Sequence, residues 1–339
     1  MAPLMRELQD FENPRFVPLK DKLYAASFHL MKLLPARYML EQAAARGALQ
    51  PGATICESSS GTFGLALSML AARQGYGLVL VSDWALDRHL HRRLEELKAE
   101  VSIVVEPAAT GGLQQARLDR LQFYLNSIPG SYWPAQYDNP DNPLAYGQFA
   151  AQMIAAIGRI DCLIGSVGSG GSMSGSSRYL RALFPELHVI GVDTPNSVLF
   201  GQPSGKLGLS GLGGNILPKN VDHSQFDEVH WLTPVETFQA THELHRTHGL
   251  FMGPTSGAAY RVAEWWSRKH PDKTAVTIFP DEGHRYSETV YDPQWLSKFP
   301  EISATTPEQP ADVASPRERM MSWSRFAWER RSLSDVLAT

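Results

Sequence analysis

Apolar positions along this chain gather into short continuous runs bounded by turn residues, and the stretches between them carry helical spacing. The runs are ATICES (53–58), GLVLVSD (77–83), VSIVVEP (101–107), DCLIGSVGS (161–169), HVIGVDT (188–194), DEVHWLT (227–233) and TAVTIFPD (274–281). Runs of this length without polar alternation predict strands buried on both faces, as in parallel sheets. Between them, PARYMLEQAAARGAL and WALDRHLHRRLEELKAE repeat at helical spacing, the second with charges on one face. Strand and helix in alternation predict an α/β fold of two lobes, each a mostly parallel sheet covered by helices.

The loop PAQYDNPDNPLAYGQF (134–149), rich in Asp, Asn and Pro, separates the first three runs from the last four and marks a crossing between lobes. The expected organisation is an N-terminal segment (1–35) packing on the larger lobe, a smaller mobile lobe (36–150), a larger lobe (151–298), and a linker and tail (299–339). The second half of that tail, with Trp and Arg, reads as a short docking helix. No internal repeat is visible.

Composition narrows the function. A chain of 339 residues with formal net charge −4 has no basic footprint for nucleic acid or an anionic membrane. Cys56 and Cys162 lie inside apolar runs and read as small core residues of a reducing compartment, so a cytoplasmic location is expected. The beginning MAPLMRELQDFENPRF lacks the apolar run of a signal peptide, and no segment reaches the roughly 18 apolar residues of a membrane span. Small molecules or protein remain as partners.

The strongest local chemistry is GSVGSGGSMSG (165–175), placed between an apolar strand and a helical run. Glycines there let backbone N–H groups converge on an anion, and the helix N-terminus adds partial positive charge, which together describe a phosphate cradle. Met173 stands where a dinucleotide fingerprint needs its third glycine, and no Gly-Lys-Ser/Thr follows for a nucleotide loop. A second strand-to-helix turn, ESSSGTFG (57–64), offers hydroxyls and free N–H groups to a carboxylate, though alone it reads as an N-cap. GLFMGPTSGAAYRVA (249–263) and FPDEGHRY (279–286) are further turns of ordinary capping type. His242, His245 and His248 lack the spacing of a zinc helix and read as a solvated face, so no metal is expected. Asp281 and Glu282 are adjacent and point apart, which favours structural roles.

Taken in order, these segments resemble the fold type II pyridoxal-phosphate enzymes, and within them the cysteine synthase and cystathionine β-synthase group, over about Leu23 to Leu296. ESSSGTFG is similar to the family's substrate loop, PAQYDNPDNP to its Gln-Phe-Asp-Asn-Pro segment, and GSGGS (168–172) to its phosphate loop. GLGGNILP, GPTSGAA and PDEGHRY are similar to its later glycine turn, pyridine-nitrogen segment and C-terminal signature. The resemblance implies pyridoxal 5′-phosphate attached through Lys32, its phosphate on Gly168, Ser169, Gly170, Gly171 and Ser172, its ring nitrogen facing Thr255, and Thr62 beside its 3′ oxygen. It further implies a homodimer and a substrate carboxylate held by Ser59, Ser60, Gly61 and the adjacent helix N–H groups, with Gln136 closing over it. Lys20 and Lys22, ahead of the strand-like LYAASF, come about ten residues too early for the attachment role.

The implied reaction is β-replacement on O-acetylserine or O-phosphoserine through an aminoacrylate, with Lys32 moving the α-proton and a second nucleophile adding. β-Elimination of the serine/threonine dehydratase or cysteine desulfhydrase type shares that intermediate, and a catalytically silent binding homologue is the reading of a different class. Two departures bear on the substrate. HLMKLLPAR replaces a longer family run around the lysine, and Thr62 and Phe63 stand where the family has asparagine and threonine. Phe63 is expected to line a more apolar pocket for a bulkier or less polar second substrate.

Overall fold

Eleven strands are found among the described residues of the computed structural model, which are residue 8 and residues 10–109, 112–209 and 211–338. They are β1 (Arg15–Lys20), β2 (Leu23–Ser27), β3 (Thr54–Ser58), β4 (Gly77–Asp83), β5 (Glu100–Val104), β6 (Cys162–Ser166), β7 (His188–Asp193), β8 (Glu228–Trp231), β9 (Ala275–Phe279), β10 (Ala311–Asp312) and β11 (Ser324–Ala327). The chain divides into two compact units, one of Met1–Glu12 with Leu30–Ala145 and the other of Asn13–His29 with Tyr146–Thr339. The expected N-terminal segment 1–35 is thus shared between the units, and half of the stretch read for a missing signal peptide lies outside the described residues.

The first unit holds a parallel sheet in the order β3-β4-β5. On it lies an apolar cluster in which Leu33, Met39 and Leu40 of the helix Leu33–Ala45 meet Phe63, Leu67 and Leu70 of the helix Thr62–Gln74. A second cluster joins Cys56, Val79 and Val81 to Leu121 of the helix Gly112–Ser127.

The second unit holds an eight-stranded sheet in the order β1-β2-β9-β6-β7-β8-β11-β10. Its centre, β2-β9-β6-β7-β8, is parallel throughout, while β1 and β11 join it antiparallel on either side and β10 ends the sheet parallel to β11. The helix Pro234–His248 begins at a capping box in which the Thr233 hydroxyl accepts from the Glu236 N–H and the Glu236 carboxylate from the Thr233 N–H, satisfying two donors reciprocally. The helix Pro254–Lys269 buries Tyr260, Trp265 and Trp266 in the core of the unit.

Two expectations are corrected here. The tail expected to be a docking helix contributes β11, with Trp323 and Trp328 fully buried at its ends and a short helix only at Leu333–Ala338. Ser324 and Phe326 turn inward while Arg325 and Ala327 turn outward, the period-2 alternation of a sheet edge. The loop expected over 134–149 is helical from Asp141, because Pro143 sits in the first helical turn where its missing N–H costs nothing. Among the described residues no helix is long and apolar enough to cross a membrane.

Candidate active site

In the first unit, β3 ends at Ser58 and the chain turns directly into the helix Thr62–Gln74. The Ser59 hydroxyl oxygen accepts from the N–H of Gly61 at 3.3 Å and of Gly64 at 3.1 Å, so Ser59 serves as the cap of this helix. By helix geometry the N–H groups of Thr62 and Phe63 have no acceptor one turn back and remain available to an anion. Ser60, Gly61 and Thr62 are half-buried on this turn. The Phe63 ring is buried in the apolar cluster of the unit, which corrects the expectation that it lines a substrate pocket. What Phe63 offers at the turn is its backbone.

Lys32 occupies the N-cap position of the helix Leu33–Ala45, flanked by the buried Met31 and Leu33. Burial lowers its amine to about 8. A cation there also faces the positive end of the helix dipole, which further disfavours an ammonium. The other two early lysines have partners in the second unit: Lys20 pairs with Glu264, and Lys22 donates to the Asp272 carbonyl at 3.1 Å.

Gln136 is buried, its N–H directed at Glu57 Oε2 at 3.3 Å and its carbonyl accepting from Asn142 Nδ2 at 2.6 Å. Two side-chain groups at this end of the sheet escaped the reading of the sequence. Glu57 is buried, and burial pushes its carboxyl up to about 7 although Ser58, Trp133 and Gln136 all donate to it. Arg117 lies 3.3 Å from Asp83, the last residue of β4, and its buried Nε–H has no acceptor. These convergences join residues far apart in sequence, so no local motif announces them.

In the second unit the glycine loop leaves β6 and enters the helix Gly171–Leu183. Gly170 is left-handed (φ 84°) and caps this helix without any side chain, which leaves the first-turn N–H groups of Gly171 and Ser172 without intrahelical acceptors. A Cβ on Gly170 would lie 2.6 Å from Asn220 O and Val221 N, both backbone atoms. Ser169 is buried, and Gly168 and Ser172 are half-buried. The Ser166 hydroxyl donates to the Thr255 carbonyl at 2.7 Å and so ties this strand end to the segment carrying Thr255. Thr255 is buried, and its hydroxyl has no partner.

A phosphorylated pyridine fits these residues. The uncapped helix start suits the phosphate, and the orphaned Thr255 hydroxyl suits a neutral ring nitrogen. Thr255→Val keeps the shape and removes an unpartnered group, so melting of the cofactor-free protein should be unchanged, while cofactor affinity should fall up to about tenfold in a fluorescence titration.

Other candidates resolve as structural. Tyr286 OH donates to Asp281 Oδ2 at 2.9 Å, and burial pushes the Asp281 carboxyl up to about 6, whereas Glu282 pairs with Arg15 at 3.0 Å and His29 at 2.9 Å. His242 Nε2 lies 2.8 Å from the Val290 carbonyl and His248 packs on Tyr260, which corrects the solvated face expected for them, while His245 is exposed. No metal-binding group occurs among the described residues.

A model of the family described as pyridoxal-phosphate dependent enzyme matches residues 24–281. The N-(2-amino-2-carboxyethyl)-L-glutamate synthase of Cupriavidus metallidurans is 33% identical over 272 residues, covering 78% of this chain and 80% of that protein. The cysteine synthase of Helicobacter pylori is 28% identical, covering 81% and 92%. The crystal structure of an O-acetylserine dependent cystathionine β-synthase from Helicobacter pylori superposes with a TM-score of 0.77 at 25% identity, covering 85% of this chain and 99% of that one.

Proposed function

From the premise that this chain belongs to the pyridoxal-phosphate dependent enzymes, we propose that it performs β-replacement on a serine-derived amino acid, preferring O-phosphoserine, with an amino acid's amine as the second nucleophile. One observation carries the reading: the relative at 33% identity over most of both chains makes a product whose name describes a serine-derived carbon unit joined to the nitrogen of glutamate. The cysteine synthase and the O-acetylserine dependent enzyme share the same first half-reaction, displacement of a group from the serine β-carbon.

When bound, pyridoxal phosphate supplies the electron sink for the pair left on the substrate α-carbon. The rest falls to the chain. The N–H groups of Thr62 and Phe63 with the Ser60–Gly61 turn bind the substrate carboxylate, and Gln136 closes on it. Lys32 Nζ, whose amine burial lowers to about 8, takes the α-proton in its neutral form and holds it. The unpartnered Nε–H of Arg117 marks the anion-accepting group at this end of the sheet, which favours a phosphate leaving group over acetate. Gly168–Ser172 hold the cofactor phosphate, and Thr255 the ring nitrogen. The reading includes a cytoplasmic homodimer. Two free, buried cysteines suit a reducing compartment, and light scattering checks the mass.

The test offers O-phosphoserine or O-acetylserine in turn, each with glutamate, with sulfide, or with no nucleophile. The expected result is a new amino acid formed from O-phosphoserine and glutamate, with little pyruvate, and phosphate release that depends on the second substrate. Pyruvate at the same rate with and without a nucleophile would assign the chain to the lyases instead. A preference for O-acetylserine that Arg117→Ala leaves untouched would remove Arg117 from the site.

A further inference from the structure

We infer that Glu57 is a positioning residue, a buried carboxylate latch that fixes the Ser58–Gly61 turn and the Gln136 segment to one another and so sets the affinity for the amino-acid substrate. The inference rests on the reading that these two segments bind that substrate. Both lie in the first unit.

Glu57 is the penultimate residue of β3, and its side chain is 2% exposed. Oε1 accepts from the Ser58 N–H at 2.8 Å and from the Trp133 indole N–H at 3.0 Å, while Oε2 accepts from the Gln136 N–H at 3.3 Å. One carboxylate therefore spans the start of the hydroxyl turn and a segment 76 to 79 residues further along the chain. Between Pro134 and Gln136, Ala135 is left-handed (φ 52°), a conformation that residues other than glycine rarely adopt. Adjacent N–H groups in such a turn form a concave nest for an anion, and here the anion is the chain's own Glu57. On the far side Asn142 Nδ2 donates to the Gln136 carbonyl at 2.6 Å, and Asn139 Nδ2 donates to the Pro134 carbonyl at 2.9 Å. Gln136 is held from both faces.

The state of the carboxyl decides whether the latch holds. Ionised, Glu57 accepts through both oxygens. Protonated, one oxygen carries a hydrogen and faces donors, so at least one of the N–H groups loses its acceptor. Burial brings this transition to about pH 7, which places it in the working range. Burial raises the Cys56 thiol to about 11 and raises the phenols of Tyr132 and Tyr137 away from this range, and Arg117 is paired with Asp83. Substrate affinity should therefore rise with pH through about 7 and level off.

The test uses the cofactor-loaded full chain and Glu57→Gln, whose amide must turn an NH2 toward at least one of the same donors. Without substrate, amide exchange at Ala135–Tyr137 should be about tenfold faster in Glu57→Gln at pH 8, and the wild type should approach the variant at pH 6, where about nine-tenths of Glu57 is protonated. With O-phosphoserine, the ratio of variant to wild-type KM should be about ten at pH 8 and near one at pH 6, with kcat within about twofold. Glu57→Asp keeps the charge on a shorter arm and should show raised KM with the pH dependence retained. Equal exchange rates in Glu57→Gln and wild type across pH 6–8, or a KM ratio of Glu57→Gln to wild type independent of pH, would overturn the latch. If O-phosphoserine is not turned over by the wild type, the functional reading fails, while the exchange measurement still decides the latch.

Discussion

Lys32→Ala should yield a protein that folds, still takes up pyridoxal phosphate, and holds none of it through a borohydride-reducible link. Turnover should fall by roughly 10⁴, the upper range for losing a positioned proton-transfer group that is also the attachment point. The stability of the cofactor-free protein gives a second readout with a definite sign. Burial lowers the amine from 10.5 to about 8, so folding disfavours the ammonium. Below about pH 8 the folded chain carries the full penalty, on the order of 3 kcal/mol less whatever packing the stem provides, and the penalty is relieved as pH rises from about 8 toward 10.5. Lys32→Ala should therefore melt higher than wild type at pH 7, with the advantage shrinking above pH 8. A residue that weakens its own helix start and its own burial is explained by chemistry rather than by folding. A variant that melts lower at pH 7 and still shows reducible cofactor would move the attachment elsewhere, with Lys20 and Lys22 next to be replaced.

What the sequence made legible followed from how each element is buried. The runs 53–58, 77–83 and 188–194 coincide within a residue with β3, β4 and β7, because parallel strands covered on both faces need continuous apolar side chains. β1, with Pro18 inside it, and β11, four residues long, sit toward the sheet's edges, where only one face needs apolar side chains and the pattern is faint. The same division runs through the candidate groups of each unit. The hydroxyl turn and the glycine loop offer mainly backbone N–H groups and glycine conformations, which are local and leave a motif. Glu57 and the Asp83–Arg117 pair meet their partners only through tertiary structure, and each residue alone reads as an ordinary charged one. Phe63 shows the converse risk: a motif aligns its position with a ligand loop, but a large apolar side chain at a helix start turns to the core, where burial is worth about 2 kcal/mol.

Gly170→Ala should cost both cofactor and fold, and the two losses can be separated. At φ 84° an alanine is strained by about 1 kcal/mol, and its Cβ would approach Asn220 O and Val221 N to 2.6 Å, adding an overpacking cost of about 1–3 kcal/mol because backbone cannot rotate away. Gly52→Ala isolates the first effect, since Gly52 has φ 74° with nothing within 4 Å of the added methyl. Gly168→Ala isolates the opposite case, for its Cβ meets only Gly211 O at 3.5 Å, an ordinary contact. Thermal melting of the cofactor-free proteins should accordingly rank Gly168→Ala nearest wild type, Gly52→Ala lower by about 1 kcal/mol, and Gly170→Ala lowest. Cofactor retention should rank differently. Gly52→Ala should bind as wild type does, while Gly170→Ala should bind at least about a hundredfold more weakly, because displacing Gly170 misdirects the first N–H groups of the helix Gly171–Leu183, which are proposed to hold the phosphate. Native cofactor affinity in a folded Gly170→Ala would show that the phosphate does not rest on this loop, and the anion site would have to be sought at another helix start, such as the free N–H groups that follow Gly61.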